Sequence, residues 1–287
     1  MPELTFGLKP PQQHTSVDTL RRVWAIADEG GFDGCWVFDH FAPMGPVRSG
    51  DVFEAWTMMA AMAQATRRVR IGSLVSGNVY RHPGVLAKMA VTVDHLSAGR
   101  LDLGIGAGGD PGVDPRLGLP DRPPRERIER LDEACRMLKL LWTEPSATFA
   151  GRHYRLERAE SDPKPVQRPY PPLWMGSSGE RFGLRVVAEH ADVWINANMS
   201  GEDPEELGRL GRVLDRHCAD IGRDPATIRR AVQFRLTEEP SEVVRTAERY
   251  VRAGFTDVIL MQYGAGDAPI ASAEMAAKIL PDLRALG

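Results

Sequence analysis

The stretch Ile71-Gly-Ser-Leu-Val-Ser-Gly-Asn-Val-Tyr-Arg-His-Pro83 reads as a strand that stops and a helix that starts. Val69, Ile71, Leu74 and Val75 supply the apolar part among small residues, and Ser76-Gly77-Asn78 interrupt it. Pro83, whose fixed φ suits a first helical turn, opens the next helix. A buried strand ending in small polar residues leaves backbone groups uncovered, which suits contact with a flat, ring-shaped ligand. Alone, the stretch is also readable as an ordinary strand-turn-helix joint. Three other strand ends carry similar residues, however: Asp39-His40, Gly104 to Gly109, and Gly176 to Gly179. Four such ends point to one shared pocket.

Working outward, strands are predicted over residues 4–8, 35–38, 69–75, 101–105, 173–175, 192–195, 228–234 and 257–261. Helices are predicted between them and after the last. Ser16 caps a helix with Leu20, Val23, Trp24 and Ala27 on one stripe, and Asp203-Pro204 pairs an N-cap with proline at the first turn. The helix-to-strand joints EGGFDGCWV (29–37), SAGRLDL (97–103), EHADVWI (189–195) and RAGFTDVIL (252–260) are short, while the strand-to-helix joints are longer and varied. That asymmetry suits a (β/α)₈ TIM barrel, whose sites lie at the C-terminal strand ends. A doubly wound open sheet is the runner-up. It is disfavoured because Gly7-Leu8-Lys9-Pro10 after the first strand lacks a G-x-G-x-x-G pattern. The expectation is one domain over 1–287, with a polar, proline-rich insertion at 145–172 between strands four and five and a small hairpin around Phe149 to Tyr154.

A chain of 287 residues is compatible with one α/β barrel. A formal net charge of −3 argues against nucleic acid or a membrane surface as the main partner. Cys35, Cys135 and Cys218 sit at apolar positions with no zinc spacing, so buried free thiols and no metal are expected. The N-terminus carries no basic-then-apolar signal pattern, and no apolar run approaches a bilayer's span. A cytoplasmic enzyme is the expectation.

Asp39-His40 is the most reactive pair. Both can reach the mouth once the strand has ended, and a histidine there can transfer protons near neutral pH; a loop histidine capping backbone is the alternative. Gly104 to Gly109 suits either a phosphate cradle or close backbone approach to a planar ligand, and lacks the Lys-Ser/Thr of a P-loop. Gly176-Ser177-Ser178-Gly179 before a helix suits a phosphate or simple capping. Arg81 can pair with an anion or lie on the surface, beside a capping His82. Met58, Met59 and Met62 read as core or subunit contact. The run Arg122 to Arg130 reads as a solvated helix start.

Several segments together resemble the bacterial luciferase-like superfamily, and within it the coenzyme F420-dependent oxidoreductases of actinobacterial type. They are Phe38-Asp-His-Phe41, Arg81-His-Pro83 with Leu86-Ala-Lys-Met89, Leu96-Ser-Ala-Gly-Arg-Leu-Asp-Leu-Gly-Ile-Gly106, Gly151-Arg-His-Tyr154, Pro163-Lys-Pro-Val-Gln-Arg-Pro169, Gly176-Ser-Ser-Gly-Glu180 and His190-Ala-Asp-Val-Trp194. The resemblance runs to about residue 225.

It implies a TIM barrel holding the deazaflavin F420 at the C-terminal strand ends. Asp39 and His40 would then be catalytic, with Asp39 also near the ring and His40 moving the proton. Ser73-Leu74 would form a non-prolyl cis peptide in a bulge that backs the ring. Ser76, Gly106, Ala107 and Gly108 would line the ring and ribityl chain, and Gly176 to Gly179 would take the phosphate. Gly109 departs from the glutamate of the superfamily's sugar-phosphate dehydrogenases and from the tryptophan of closer relatives, and should open the pocket. The implied reaction is hydride transfer with a small-molecule substrate that the sequence does not name. An FMN-dependent monooxygenase using reduced flavin and oxygen is the alternative, and a non-catalytic flavin-binding protein the third reading. A homodimer is expected on the helices after strands two and three, where Met58, Met59, Met62, Val85 and Met89 offer apolar surface.

Overall fold

In the computed structural model, which describes residues 3–110, 112–196 and 203–287, eight parallel strand positions close into a barrel surrounded by helices. The chain runs β1 (Thr5–Lys9), α1 (Val17–Glu29), β2 (Gly34–Val37), α2 (Ala55–Ala65), β3 (Arg70–Ser73), β4 (Ser76–Gly77), α3 (Pro83–Leu96), β5 (Leu101–Gly106) and α4 (Pro124–Thr143). It continues through β6 (Ala147–Ala150), β7 (Arg155–Ala159), β8 (Leu173–Gly176), α5 (Gly183–His190), β9 (Val193–Asn196), α6 (Pro204–Asp220), β10 (Arg229–Arg235), α7 (Pro240–Arg252), β11 (Asp257–Met261) and α8 (Ala268–Arg284). The sheet order β3-β2-β1-β11-β10-β9-β8-β5-β4, with β3 also pairing β5, closes the ring. The TIM-barrel expectation holds.

The third barrel position is split between β3 and β4, but at Leu74-Val75, while Ser76 and Gly77, read from the sequence as the interruption, resume the strand. Local chemistry sets the helix starts. Ser16, Glu54, His82 and Asp203 each accept first-turn N–H groups of the helix they precede. The strands are buried on both faces, β5 and β11 along their whole length, as a barrel wall requires.

The core has two shells. Between barrel and helices lie the fully buried Trp24, Trp56, Trp142 and Trp194 with their aliphatic neighbours. Inside the barrel, Trp36, Leu74, Trp174, Val193, Ile195, Ala231 and Ile259 form a separate plug, with the two indoles 4.4 Å apart between centroids. Gly104 exists for close approach: a Cβ there would fall 1.7 Å from the carbonyl oxygen of Ser73.

The expected small hairpin is present: β6 and β7 pair antiparallel, and the N–H groups of Arg152, His153 and Tyr154 in their turn all donate to the Glu133 carboxylate on α4. Two other expectations are corrected. Met58, Met59 and Met62 are buried in the chain's own core, so they offer no surface to a partner; Val85 alone of the five is exposed. The helix expected directly after Gly176 to Gly179 begins only at Gly183, after a turn in which Leu184 N–H donates to the Gly179 carbonyl. All three cysteines are buried free thiols. Among the described residues no helix is long and apolar enough to cross a membrane.

Candidate active site

At the C-terminal ends of the strands, Lys9, Asp39, His40, Leu74, Val75, Gly109 and Gln233 help enclose a cavity of about 310 Å³, with Phe38, Met44, Gly77, Tyr80 and Gly108 completing its wall. That volume is at the lower end of what small-molecule sites occupy. The inner plug makes its floor.

Asp39 borders this cavity, but its carboxylate faces the protein. It accepts from both terminal nitrogens of Arg81, at 2.6 and 3.1 Å, and from the Gly77 N–H at 3.1 Å. Burial pushes Asp39 above the ordinary carboxylate range, and the Arg81 contacts and Gly77 pull it back. Arg81 also bonds Glu54, the cap of α2. Arg81 is therefore committed to two internal acids rather than open to a ligand anion, and His82 caps α3. The network ties the end of β2, the start of α2 and the β4–α3 joint together.

His40 is different. Its Nδ1 is buried with no hydrogen-bond partner and stands 3.9 Å from Asp110 Oδ2. Asp110 in turn pairs with Arg48 at 2.5 Å, joining the loop after His40 to the loop after β5. Burial, then the charge of Lys9, holds His40 below the ordinary histidine value, against the opposing pull of Asp110 and Asp39. A neutral imidazole at pH 7 can accept a proton from a ligand hydroxyl.

Lys9 ends β1 and is 5% exposed. Its Nζ donates to the Leu74 carbonyl at 2.9 Å and to Gln233 Oε1 at 2.8 Å. Burial lowers its pKa to about 7.

The bulge of the third strand position departs from expectation by one residue: the non-prolyl cis peptide is Leu74–Val75, not Ser73–Leu74. Leu74 N–H still donates to Val37, so the chain keeps sheet pairing through the Ser73–Leu74 bond before turning inward. Leu74 and Val75 do line the cavity, as a backing surface should. Ser73 and Ser76 do not. Their hydroxyls bond each other at 2.9 Å, Ser73 donates to the Gly104 carbonyl, and the Trp56 indole donates to Ser76.

Gly108 lies in the wall with φ +70°, and a Cβ there would meet the Gly77 backbone at 3.0 Å. Gly106 and Ala107 sit one step behind it, Gly106 accepting from Asn78 N–H. Gly109 lines the cavity, but the direction its Cβ would take is closed. The Arg127 guanidinium fills its space, lying 2.1 Å from where a Cβ would be and bonding the Gly108 carbonyl. Within the predicted solvated start of α4, Arg127 therefore turns inward, while Arg122 and Arg130 pair with Glu126.

Gly176 is not in the cavity wall but lies beside it, since a Cβ there would fall 3.4 Å from the Val75 side chain. Ser178 and Gly179 are exposed, and Ser177 uses its carbonyl to accept from the Trp194 indole.

The arrangement fits a planar polar ring. Leu74 and Val75 offer an apolar face, and His40 lines the same cavity with a buried Nδ1 that lacks a partner; at Gly77 and Gly108 the Cβ positions are taken by Tyr80, Val79 and the Gly77 backbone, so those glycines serve the packing of the wall itself. Among the described residues, Asp132, Glu189 and His190 could approach one metal ion, but they lie on α4 and α5, with Asp132 already bonded to His190 and Arg136.

Lys9, Gln233, Asp110 and Arg127 were not singled out from the sequence. Lys9 carried a usable signal, as a charged residue at the C-terminal end of a barrel strand. The other three come together only in the folded chain.

Residues 4–280 match the family model described as luciferase-like monooxygenase. An F420-dependent glucose-6-phosphate dehydrogenase of Microbacterium testaceum is 30% identical over 241 residues, covering 83% of this chain and 69% of that one. Among solved structures, an F420-dependent secondary alcohol dehydrogenase in complex with an F420-acetone adduct superposes with a TM-score of 0.86 at 18% identity, over 98% of this chain and 99% of that one. A monooxygenase from Streptomyces bottropensis superposes with a TM-score of 0.78 at 19% identity, over 97% and 99%. At those identities the structural likeness speaks for the fold.

Proposed function

The chain belongs to the luciferase-like monooxygenase family, and from that premise we propose that it is an F420-dependent oxidoreductase acting on a small organic alcohol or carbonyl compound. The observation that carries the reading is His40, which lines a cavity backed by Leu74 and Val75 and whose buried Nδ1 has no hydrogen-bond partner. The F420 named for the Microbacterium relative supports the cofactor.

In this reading the deazaflavin supplies the hydride acceptor or donor, as cofactors carry the redox chemistry and the protein orients it. Leu74 and Val75 would back the ring. Gly176 to Gly179 present N–H groups to the phosphate. His40 takes the proton from the substrate hydroxyl, or returns it in the reverse direction. Asp39 is not the proton carrier; it holds Arg81 and the Gly77 amide in place. The sugar-phosphate substrate of the Microbacterium relative is not carried over, because Gly109 stands where the resemblance puts the glutamate of the sugar-phosphate dehydrogenases.

The second reading, an FMN-dependent monooxygenase, draws on the Streptomyces neighbour. Anaerobic mixing of the protein with oxidised F420 and a panel of small alcohols tests the first. Loss of the oxidised deazaflavin absorbance with at least one alcohol is the outcome predicted. Turnover with reduced FMN and oxygen, and none with F420, favours the second. We also read the protein as a cytoplasmic homodimer, with exposed Val85 on α3 as the remaining apolar support; light scattering that reports a monomer at micromolar concentration overturns that assembly.

A further inference from the structure

We propose that Lys9 supplies the positive charge against which the reduced, electron-rich form of the deazaflavin is held. The proposal rests on the cofactor reading above and adds a residue that neither the resemblance nor the relatives assign.

In the cavity wall the acids are already committed to other bases: Asp39 and Glu54 both pair with Arg81, and Asp110 with Arg48. Lys9 is buried in the same wall, and both its acceptors, the Leu74 carbonyl and the Gln233 side-chain oxygen, are neutral. Among the described residues it forms no ion pair. An ammonium has three donors, and two are engaged here. Burying a cation without a counter-charge is costly, and a methionine or leucine would strap β1 to its neighbours without that cost. The lowered pKa agrees with a site that lacks its anion.

Position gives the anion its identity. Lys9 bonds the carbonyl of Leu74, the residue whose side chain backs the ring in this reading, so the charge is fixed relative to that surface. In the oxidation of an alcohol, a C–H bond breaks at the substrate carbon and a C–H bond forms at the ring carbon. The hydroxyl proton leaves to His40, the alcohol becomes a carbonyl, and the ring gains one unit of negative charge. A fixed cation that meets this charge favours the reduced form over the oxidised one, and charge placed near a flavin-type ring is a recognised lever on its electronics.

The test is the dissociation constant of each redox form of F420, measured anaerobically by equilibrium ultrafiltration, for the wild type and for Lys9→Met. Lys9→Gln, which keeps a polar partner for Leu74 and Gln233, serves where the methionine variant does not fold. The expected result is a loss of affinity for reduced F420 at least tenfold greater than the loss for oxidised F420. Equal losses for the two forms, or no loss, would make Lys9 a structural strap and overturn the proposal while leaving the cofactor reading intact. A wild-type protein that binds neither form overturns both.

Discussion

Arg81 grips Asp39 through paired hydrogen bonds of 2.6 and 3.1 Å while the same guanidinium caps off Glu54. The pair is nearly dry: the side chain of Asp39 is 1% exposed and that of Arg81 12%. Removing one partner of such a pair strands the other charge.

Arg81→Met is therefore expected to cost about 3–5 kcal/mol of stability, because Asp39 is left buried and unpaired. The Asp39→Asn/Arg81→Met double variant should recover a large part of that loss. Urea unfolding of the two single variants and the double variant checks this; additive effects would contradict the coupling.

His40→Ala should leave F420 affinity within a few-fold and lower turnover by about 10²–10⁴, the range for losing a general acid-base. Because burial and Lys9 hold His40 below the ordinary histidine value, alcohol oxidation should lose activity only on the acid side of that value. Asp110→Asn removes an upward pull and leaves Arg48 unneutralised, so the acid limb should move to still lower pH. A pH profile of kcat/KM for the wild type and Asp110→Asn gives the sign directly. A limb that moves upward, or an unchanged rate in His40→Ala, removes His40 from the mechanism.

Lys9 makes a prediction about stability. Its pKa is about 7 in the folded chain against 10.5 unfolded, so between those values the unfolded chain binds more protons and stability rises with pH. Below pH 7 the full cost of charging the buried amine is present. Between pH 7 and pH 9 the Lys9 contribution should raise the unfolding free energy by about 2 kcal/mol in the wild type. Lys9→Met should lack that increment, whatever its absolute stability. Parallel denaturant curves at the two pH values check it, and identical pH slopes would contradict it.

Most of the barrel was legible because local chemistry decides it. Ser16, Pro83 and Asp203-Pro204 mark helix starts that the structure keeps. Ser76-Gly77-Asn78 reads as the break in the third barrel position, but the break falls at Leu74-Val75 and Ser76–Gly77 resume the strand as β4. What the sequence conceals is tertiary. No side-chain cap marks the start of α5 at Gly183, since Phe182 precedes it. Arg127 filling the space at Gly109, and Asp110 facing His40, join residues on different loops. No residue preference separates a cis bond at Ser73–Leu74 from one at Leu74–Val75. Asp39 is a related case: a strand-end acid reads as catalytic until the arginine 42 positions later is seen holding it.

The central claim is that this mouth is built for a deazaflavin. Titrating the apo protein with F420 and with FMN at equal ionic strength, and following absorbance and fluorescence, tests it most directly. The account predicts saturable F420 binding that is tighter than FMN binding. FMN binding tighter than F420 would contradict it.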